Sequence, residues 1–206
     1  MNRFLIFALL AISVVFTACC NKSEKNENNT YNTNAVIDNI MSRRSIRNYK
    51  QTQVPKDILD KIVECGINAP NAINRQAWEV RVINNQESFS LFKEYLVKDN
   101  PDTPKEMIEG CFRGAPTLIV IANDTSFKFS QIDCGLLSEN IMLSAWSLGI
   151  GSVCLGSPVG FINNSQQAKD MLGFSEGYST VICIGLGYPN ENPEAKPRDL
   201  SKVKFL

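Results

Sequence analysis

The segment PTLIVIAN, residues 116–123, places the strongest constraint on the fold of this chain. Its apolar positions follow one another without the alternation of a half-exposed strand, and β-branched aliphatic residues are frequent in it. A run of this kind is typical of a strand that is covered on both faces in the middle of a sheet. The rest of the chain must provide neighbouring strands and covering helices, which predicts class α+β or α/β.

The apolar spacing supplies those elements, because it alternates between helical and strand-like periods from about Ala35 onward, with no internal repeat. Helices are predicted over residues 35–45, from Pro55 through Val63, and over 87–99, 131–149 and 161–172; strands are predicted over 78–84, 116–123, 151–156 and 178–187. The helix at 131–149 is apolar enough to be buried and should end at Gly149.

The first 19 residues have the layout of an export signal. A basic Arg3 precedes an apolar run from Phe4 to Phe16, which is short for a membrane span, and small residues precede Cys19. The letters FTAC resemble the lipobox of bacterial lipoproteins, so Cys19 is the predicted lipidation site and Cys20 is the alternative. A cleaved secretory signal with incidental cysteines is the alternative interpretation, but it leaves the cysteine directly after Thr17 and Ala18 unexplained.

Residues 20–34 are rich in asparagine and almost free of apolar side chains, which predicts a disordered tether. The predicted organisation is therefore a signal peptide at 1–19, a tether at 20–34 and one domain at 35–206. On this interpretation the protein is held at a membrane by a lipid anchor, in the cell envelope outside the cytoplasm.

Composition excludes several kinds of chemistry. The 206 residues contain no histidine, which removes histidine-based hydrolysis and histidine-containing zinc sites, and no cysteine pair has CxxC spacing. Lys+Arg and Asp+Glu are both 21, so nothing in the overall charge favours nucleic acid. No metal site is predicted, and an enzyme of this composition would depend on a cofactor.

The five cysteines of the domain are expected to be buried free thiols, and a disulfide between two of them is the alternative.

The stretch MSRRSIRNYK, residues 41–50, concentrates positive charge in this balanced chain. Arg43, Arg44 and Arg47 fall within five positions, beside Ser45. They form either a solvated basic face or a phosphate pocket, because guanidinium groups match phosphate oxygens and a serine hydroxyl can add a donor. The tail EAKPRDL carries a second basic pair, which by itself is an ordinary polar tail.

Five segments in order resemble the FMN-dependent nitroreductase family: RRSIRNY, APNAINRQAW, APTLIVIA, LLSENIMLSAWSLGIGSVCLG and IGLGYPNENPEAKPRDL. They cover nearly everything from about Ile37 to the end. The resemblance implies class α+β, a three-layer α/β/α sandwich with a mixed, mainly antiparallel sheet. It also implies a homodimer that encloses FMN at the interface between its subunits.

The resemblance assigns the basic residues to the FMN phosphate. Arg43 and Ser45 correspond to positions that grip it, joined from the far end of the chain by Lys196 and Arg198. Arg44 lies beside them, with a contact through its backbone as the alternative. A doubly charged phosphate needs several rigid donors, which would account for the crowded arginines.

The same resemblance assigns the flavin ring. Arg47 corresponds to a cation near the pyrimidine edge, where negative charge collects on reduction. Asn71 and Asn74 correspond to a loop that contacts the ring, and Asn74 and Gln76 often reach the flavin of the neighbouring subunit. Simple loop capping is the other interpretation of these asparagines.

In the segment GSVCLGS, Leu155 and Gly156 correspond to backbone that lies against the isoalloxazine, with an amide near Gly156 directed at the hydride-accepting nitrogen. A plain core strand that ends in a turn is the alternative.

The chain departs from the family at Ala77, where relatives commonly carry proline, and at Asn71, where many carry serine. No match is found between Lys93 and Gly110 for the polar residues that some relatives use on substrate.

The function implied is transfer of electrons from a reduced nicotinamide, or another donor, through FMN to a nitroaromatic or quinone-like small molecule. Reduced nicotinamides are scarce outside the cytoplasm, so a membrane redox partner is an alternative donor. A second hypothesis is an exported lipoprotein that binds or scavenges flavin without rapid turnover. A third is a surface lipoprotein with no ligand.

Overall fold

A computed structural model describes residues 34–206, which form one compact unit. The predicted signal, the lipidation site at Cys19 and nearly all of the tether lie outside the described residues. Asn34, the last residue of the predicted tether, belongs to the domain, because its side chain caps the first helix by accepting a 2.9 Å hydrogen bond from Val36 N. None of the helices within residues 34–206 is long and apolar enough to cross a membrane.

The described chain alternates helices and strands in the order that the apolar periods predict. The helices are α1 (Ala35–Ser42), α2 (Lys56–Ile67), α3 (Gln86–Asp99), α4 (Lys105–Gly110), α5 (Ser130–Ser147), α6 (Val159–Asn164) and α7 (Gln166–Leu172). The strands are β1 (Trp78–Ile83), β2 (Thr117–Asp124), β3 (Gly151–Leu155) and β4 (Tyr178–Gly187). Two short 3₁₀ turns occur at Ala72–Asn74 and Leu200–Lys202.

The four strands form one sheet in the order β1-β2-β4-β3, and every neighbouring pair is antiparallel. The apolar run at 116–123 is central, as predicted, and all of β2 except its last residue is buried. The sheet was predicted to be mixed and mainly antiparallel. Within residues 34–206 its parallel pairing is limited to an isolated bridge between Ser45 and Ser152.

The side chains of β2 divide between two cores. Leu118 and Val120 join a cluster with α3, α4, α6 and α7, whereas Ile119 and Ile121 join a cluster with α2 and α5. Because successive strand residues point to opposite faces, both faces of the sheet are covered by helices. The α+β class and the three-layer arrangement are therefore confirmed.

Three details of the predicted elements are wrong. The helix predicted over 161–172 is divided at Ser165, whose extended backbone ends α6 and whose hydroxyl accepts from Ala168 N to start α7. The first helix ends at Ser42 rather than at 45, because Arg43 turns out of helical conformation. The short helix α4 was not predicted.

The domain cysteines are all free thiols, as expected. Cys111, Cys134 and Cys183 are buried and Cys65 is half-buried, but Cys154 is exposed, so the expectation of burial is wrong there.

Candidate functional site

The arginine stretch leaves α1 and packs along the short strand β3. Ser45 bridges Ser152, and Ile46 N donates to the carbonyl oxygen of Ser152 at 2.9 Å. This close approach needs glycine at position 151, because a Cβ there would lie 2.7 Å from Ile46 Cγ1. The fold therefore brings two predicted parts of the site together: the segment that carries Arg43 and Ser45, and the strand that ends at Leu155.

Arg43 and Arg44 are partly buried, whereas Arg47 is exposed, and Arg43 has the least satisfied guanidinium. Its side chain is 19% exposed, and Nη1 is buried without a hydrogen-bond partner in the described chain. Its Nε lies 3.9 Å from a Glu139 carboxylate oxygen, which is at the limit of an ion pair. Ser152 Oγ, on the bridged strand, is also buried without a partner. An unpartnered buried donor costs about 1–3 kcal/mol, and the chemistry of each of these two donors suits an acceptor oxygen such as that of an anion.

Cys154 lies near Arg43 and Glu139, and both charges act on its thiol. Partial burial and the nearby Glu139 raise the pKa of its thiol, and Arg43 acts in the opposite direction. Glu139 and Cys154 were not predicted to belong to the site. The thiol is exposed on the strand that Ser45 joins.

The other two arginines make local contacts. Arg44 Nη1 donates to Met41 O at 2.8 Å and to Arg43 O at 2.9 Å, and so closes the C-terminal end of α1. The guanidinium of Arg47 is exposed and donates to Ser45 O at 3.3 Å, while its backbone amide donates to the carboxylate of Glu191. Glu191 is a further residue that the sequence did not point to.

The far end of the domain meets this stretch. Tyr49 bridges Pro189, and Lys50 N donates to Tyr188 O at 2.9 Å. Lys196 and Arg198 lie further along an exposed tail, where Arg198 Nη1 donates to Lys196 O at 3.0 Å. Within the described residues 34–206, no hydrogen bond or ion pair joins these two to Arg43 or Ser45. Their role at the phosphate stays a prediction.

The segment 71–76 forms a compact loop with an unusual backbone. Ile73, Asn74 and Gln76 have φ values of 51°, 54° and 51°, in the left-handed region. Asn adopts this region readily, but a β-branched residue rarely does, and such a residue costs about 1–3 kcal/mol. Asn71 Oδ1 accepts from Gln76 N at 2.9 Å, so Asn71 does cap the loop, while Asn74 and Gln76 are exposed.

Two contacts fix this loop to the rest of the domain. Ala72 N donates to Asp133 Oδ1 at 3.1 Å, and Arg75 pairs with Asp124 at 3.1 Å. The guanidinium of Arg75 also lies 4.7 Å from the centre of the Phe127 ring. Sequence reasoning missed Asp133, although a carboxylate inside an apolar helix is a visible signal.

The C-terminal end of β3 is open on one side. Leu155 is buried and Gly156 is exposed. Apart from Gly156 itself and its two neighbours in the chain, no described atom lies within 4 Å of the position that a Cβ would take at Gly156. A planar ligand could therefore approach the backbone there. A groove of about 640 Å³ lies elsewhere, between α2 and β1, and none of the predicted site residues lines it.

Comparison with known proteins identifies the class. The sequence profile of the Nitroreductase family matches residues 40–188, and the chain belongs to that family. The match includes the arginine stretch, the loop 71–76 and the end of β3, so these parts of the site lie within the family domain.

Relatives and solved structures agree with this assignment. An NADPH-flavin oxidoreductase of Vibrio harveyi is 26% identical over 172 residues, which is 80% of this chain and 70% of the relative. A nitroreductase of Bacteroides fragilis, crystallised with bound FMN, superposes with a TM-score of 0.75 and 25% identity. The alignment covers 84% of this chain and 100% of the Bacteroides chain. A nitroreductase of Desulfitobacterium hafniense with bound FMN has a TM-score of 0.74 and 29% identity, covering 84% and 98% respectively.

Proposed function

We propose that the protein is an FMN-dependent oxidoreductase that takes electrons from NAD(P)H and reduces nitroaromatic or quinone-like acceptors. Family membership and neighbours that bind FMN support the first part, an FMN-dependent NAD(P)H oxidoreductase. The nitroreductase relatives support a nitroaromatic acceptor, and quinones rest on the family resemblance alone. When bound, FMN supplies the redox chemistry by accepting hydride and passing electrons on.

The observation that carries this proposal is the buried, unpartnered Nη1 of Arg43. A guanidinium needs an anion or several acceptors when it is buried, and the nearest carboxylate, on Glu139, is 3.9 Å from Nε. Ser45 and Ser152 stand on the adjoining paired segments, and both carry hydroxyl donors. Together these groups suit the phosphate of FMN.

The remaining site residues orient the flavin. Leu155 and Gly156 present backbone where the chain leaves space, and Arg47 keeps an exposed guanidinium. Asn74 and Gln76 project from a loop whose backbone is already fixed. The side chains need only bind, position and stabilise charge, so the absence of histidine is no obstacle to this chemistry.

We propose that the active form is a homodimer with FMN at the interface. Apolar side chains are exposed on α1 and on the tail, a pattern that marks protein surfaces covered by a partner. They include Val36 (64% exposed), Met41 (70%), Leu200 (78%) and Phe205 (94%). In a dimer the tail could carry Lys196 and Arg198 to the phosphate site of the other subunit. Light scattering of purified residues 34–206 should give twice the mass of the single chain.

We also propose that residues 1–19 are a lipoprotein signal and that Cys19 anchors the domain at a membrane of the cell envelope. Arg3, the apolar run and the FTAC letters support this proposal. Mass spectrometry of the mature protein from a bacterial membrane should find a diacylated first residue at 19. A mature chain that starts at 20 would favour the alternative cysteine, and an unlipidated start elsewhere would reject the anchor.

An exported location would separate the enzyme from the main supply of NAD(P)H. In that case the donor is a membrane redox partner, or the protein binds flavin without rapid turnover. Steady-state oxidation of NADH and NADPH by residues 34–206 separates these cases, since brisk turnover with either removes the reason for another donor.

The decisive experiment is spectroscopic. Residues 34–206 correspond to a unit that covers the whole length of the Bacteroides fragilis protein, so they should fold by themselves. The purified protein should be yellow and should bleach when NADPH is added under nitrogen, with the colour returning when a nitroaromatic compound is supplied. A yellow protein that NADPH does not bleach would favour flavin binding without turnover. A colourless protein that does not bind added FMN would reject the proposal.

The phosphate assignment has its own test. Changing Arg43→Ala and Arg198→Ala together should release FMN during purification, because two charge-assisted contacts are lost. Retention of the colour through gel filtration would show that these side chains do not hold the phosphate.

A further inference from the structure

Asp133 is a buried carboxylate that the proposed flavin site does not use directly. It is 3% exposed and lies in the first turn of α5. Oδ1 accepts the backbone hydrogen bond from Ala72 at 3.1 Å, whereas Oδ2 is buried with no partner within residues 34–206. Buried charged groups are rare unless they have a specific role.

The positive end of the α5 dipole favours a carboxylate in the first helical turn. Within the described residues, the hydrogen bond from Ala72 N is the contact that uses this buried carboxylate, and it offers a reason for an acidic side chain at position 133.

The loop 71–76 needs such an anchor. Its left-handed residues, including the 87% exposed Ile73, are not held by packing. The contact between Asn71 and Gln76 is internal to the loop, and in the Arg75–Asp124 pair the Arg75 side chain is 47% exposed, so solvent weakens that pair. The partly buried hydrogen bond from Ala72 to Asp133 ties the described loop to α5.

We propose that Asp133 is a positioning residue, which holds the loop 71–76 in its flavin-contacting shape before the cofactor binds. This inference rests on the proposed function, in which Asn74 and Gln76 contact the flavin. Asp133 itself acts through Ala72 and does not touch the cofactor. A loop that is ordered in advance loses less conformational freedom on binding, so the anchor contributes to affinity for FMN.

Two variants remove the anchor from opposite sides. Asp133→Ala deletes the acceptor, and Ala72→Pro deletes the donor at the first position of a 3₁₀ turn, where its ring carbon also displaces the Asp133 oxygen that lies 3.1 Å from the nitrogen. Asp133→Asn keeps an acceptor oxygen and should rescue the contact. Ser138→Ala is the matched control, because Ser138 is also buried on α5 but donates to Cys134 O within the helix.

The first measurement uses the protein without flavin. Arg75 lies in the loop and is a trypsin site, so cleavage after Arg75 reports how often the loop opens. Asp133→Ala and Ala72→Pro should be cut about tenfold faster than the natural sequence, as expected for a lost hydrogen bond to a charged group. Asp133→Asn and Ser138→Ala should stay within about twofold of it.

The second measurement is FMN affinity, by quenching of flavin fluorescence. The two anchor variants should raise Kd about tenfold, and the rescue and control variants should not. A lower Tm for Asp133→Ala with unchanged cleavage after Arg75 and unchanged Kd would mean that Asp133 only stabilises the fold, which overturns the inference. If the natural sequence binds no FMN, the proposed function fails instead, while the cleavage rates still report on the anchor.

Discussion

Replacement of Arg43 by alanine should have opposite effects on the protein with and without its cofactor. Without FMN, Nη1 is buried and unpartnered, and the nearest carboxylate oxygen is 3.9 Å from Nε. Truncation removes a desolvated donor that costs about 1–3 kcal/mol and a weak ion pair worth less than about 1 kcal/mol. The apoprotein should therefore keep its free energy of unfolding or gain about 1 kcal/mol.

With FMN the same change removes at least one charge-assisted hydrogen bond to phosphate. Such a bond contributes about 1.5–3 kcal/mol, which corresponds to a rise in Kd of about 10- to 150-fold. Urea unfolding of the apoprotein and FMN titration by fluorescence measure the two effects separately. Lys50→Ala is the matched control, because Lys50 is an exposed cation of the same stretch and is tied to Tyr188 only through its backbone amide.

The reasoning would be refuted by the reverse pattern. An Arg43→Ala protein that binds FMN as tightly as the natural sequence, yet unfolds more easily than the Lys50→Ala control, would make Arg43 a structural residue. Arg43→Lys refines the result, because it keeps the charge but loses the planar fork, and it should recover only part of the affinity.

Three further outcomes follow from the packing and charges of the domain. Gly151→Ala should lower the free energy of unfolding by about 1–3 kcal/mol, because the added Cβ would overlap the side chain of Ile46. Gly160→Ala should be neutral or stabilising, because no other segment lies within 4 Å of its Cβ position, and urea titrations of both variants test this. Ile73→Gly should raise the stability of the apoprotein by about 1 kcal/mol by relieving its left-handed backbone, and Ile73→Val should give no such gain in the same assay. Alkylation of Cys154 should need a higher pH than an ordinary thiol, because burial and Glu139 raise its pKa; Glu139→Gln should move the rate–pH profile to lower pH, and an unmoved profile would contradict the assigned contact.

The order and type of the main elements could be read from the sequence. The run at 116–123 is the central strand β2, and the strand predicted at 178–187 has the bounds found for β4. Both segments are apolar runs rich in β-branched residues, and such a run is a local feature of the sequence. The predictions failed where one side chain overrides the period, as at Ser165, whose cap divides a predicted helix into α6 and α7.

The candidate site could be approached from sequence only through the family resemblance. That resemblance pointed to the arginine stretch, the loop 71–76 and the end of β3, and all three lie in the matched domain. It could not point to Glu139 or Glu191, which are ordinary charged residues in the sequence. Glu139 contacts Arg43 from about a hundred residues away, and Glu191 contacts the backbone of Arg47 from 144 residues away.

The sequence by itself therefore determined which segments are buried, which are helical and which are extended, because side-chain periodicity records the exposure of each face. Only the tertiary structure decided that Ser45 lies against Ser152, that Ile73 takes a left-handed backbone and that Asp133 holds Ala72. The physical reason is that these features arise from contacts between distant segments. Packing of the two cores sets those contacts, and no local pattern of residues encodes them.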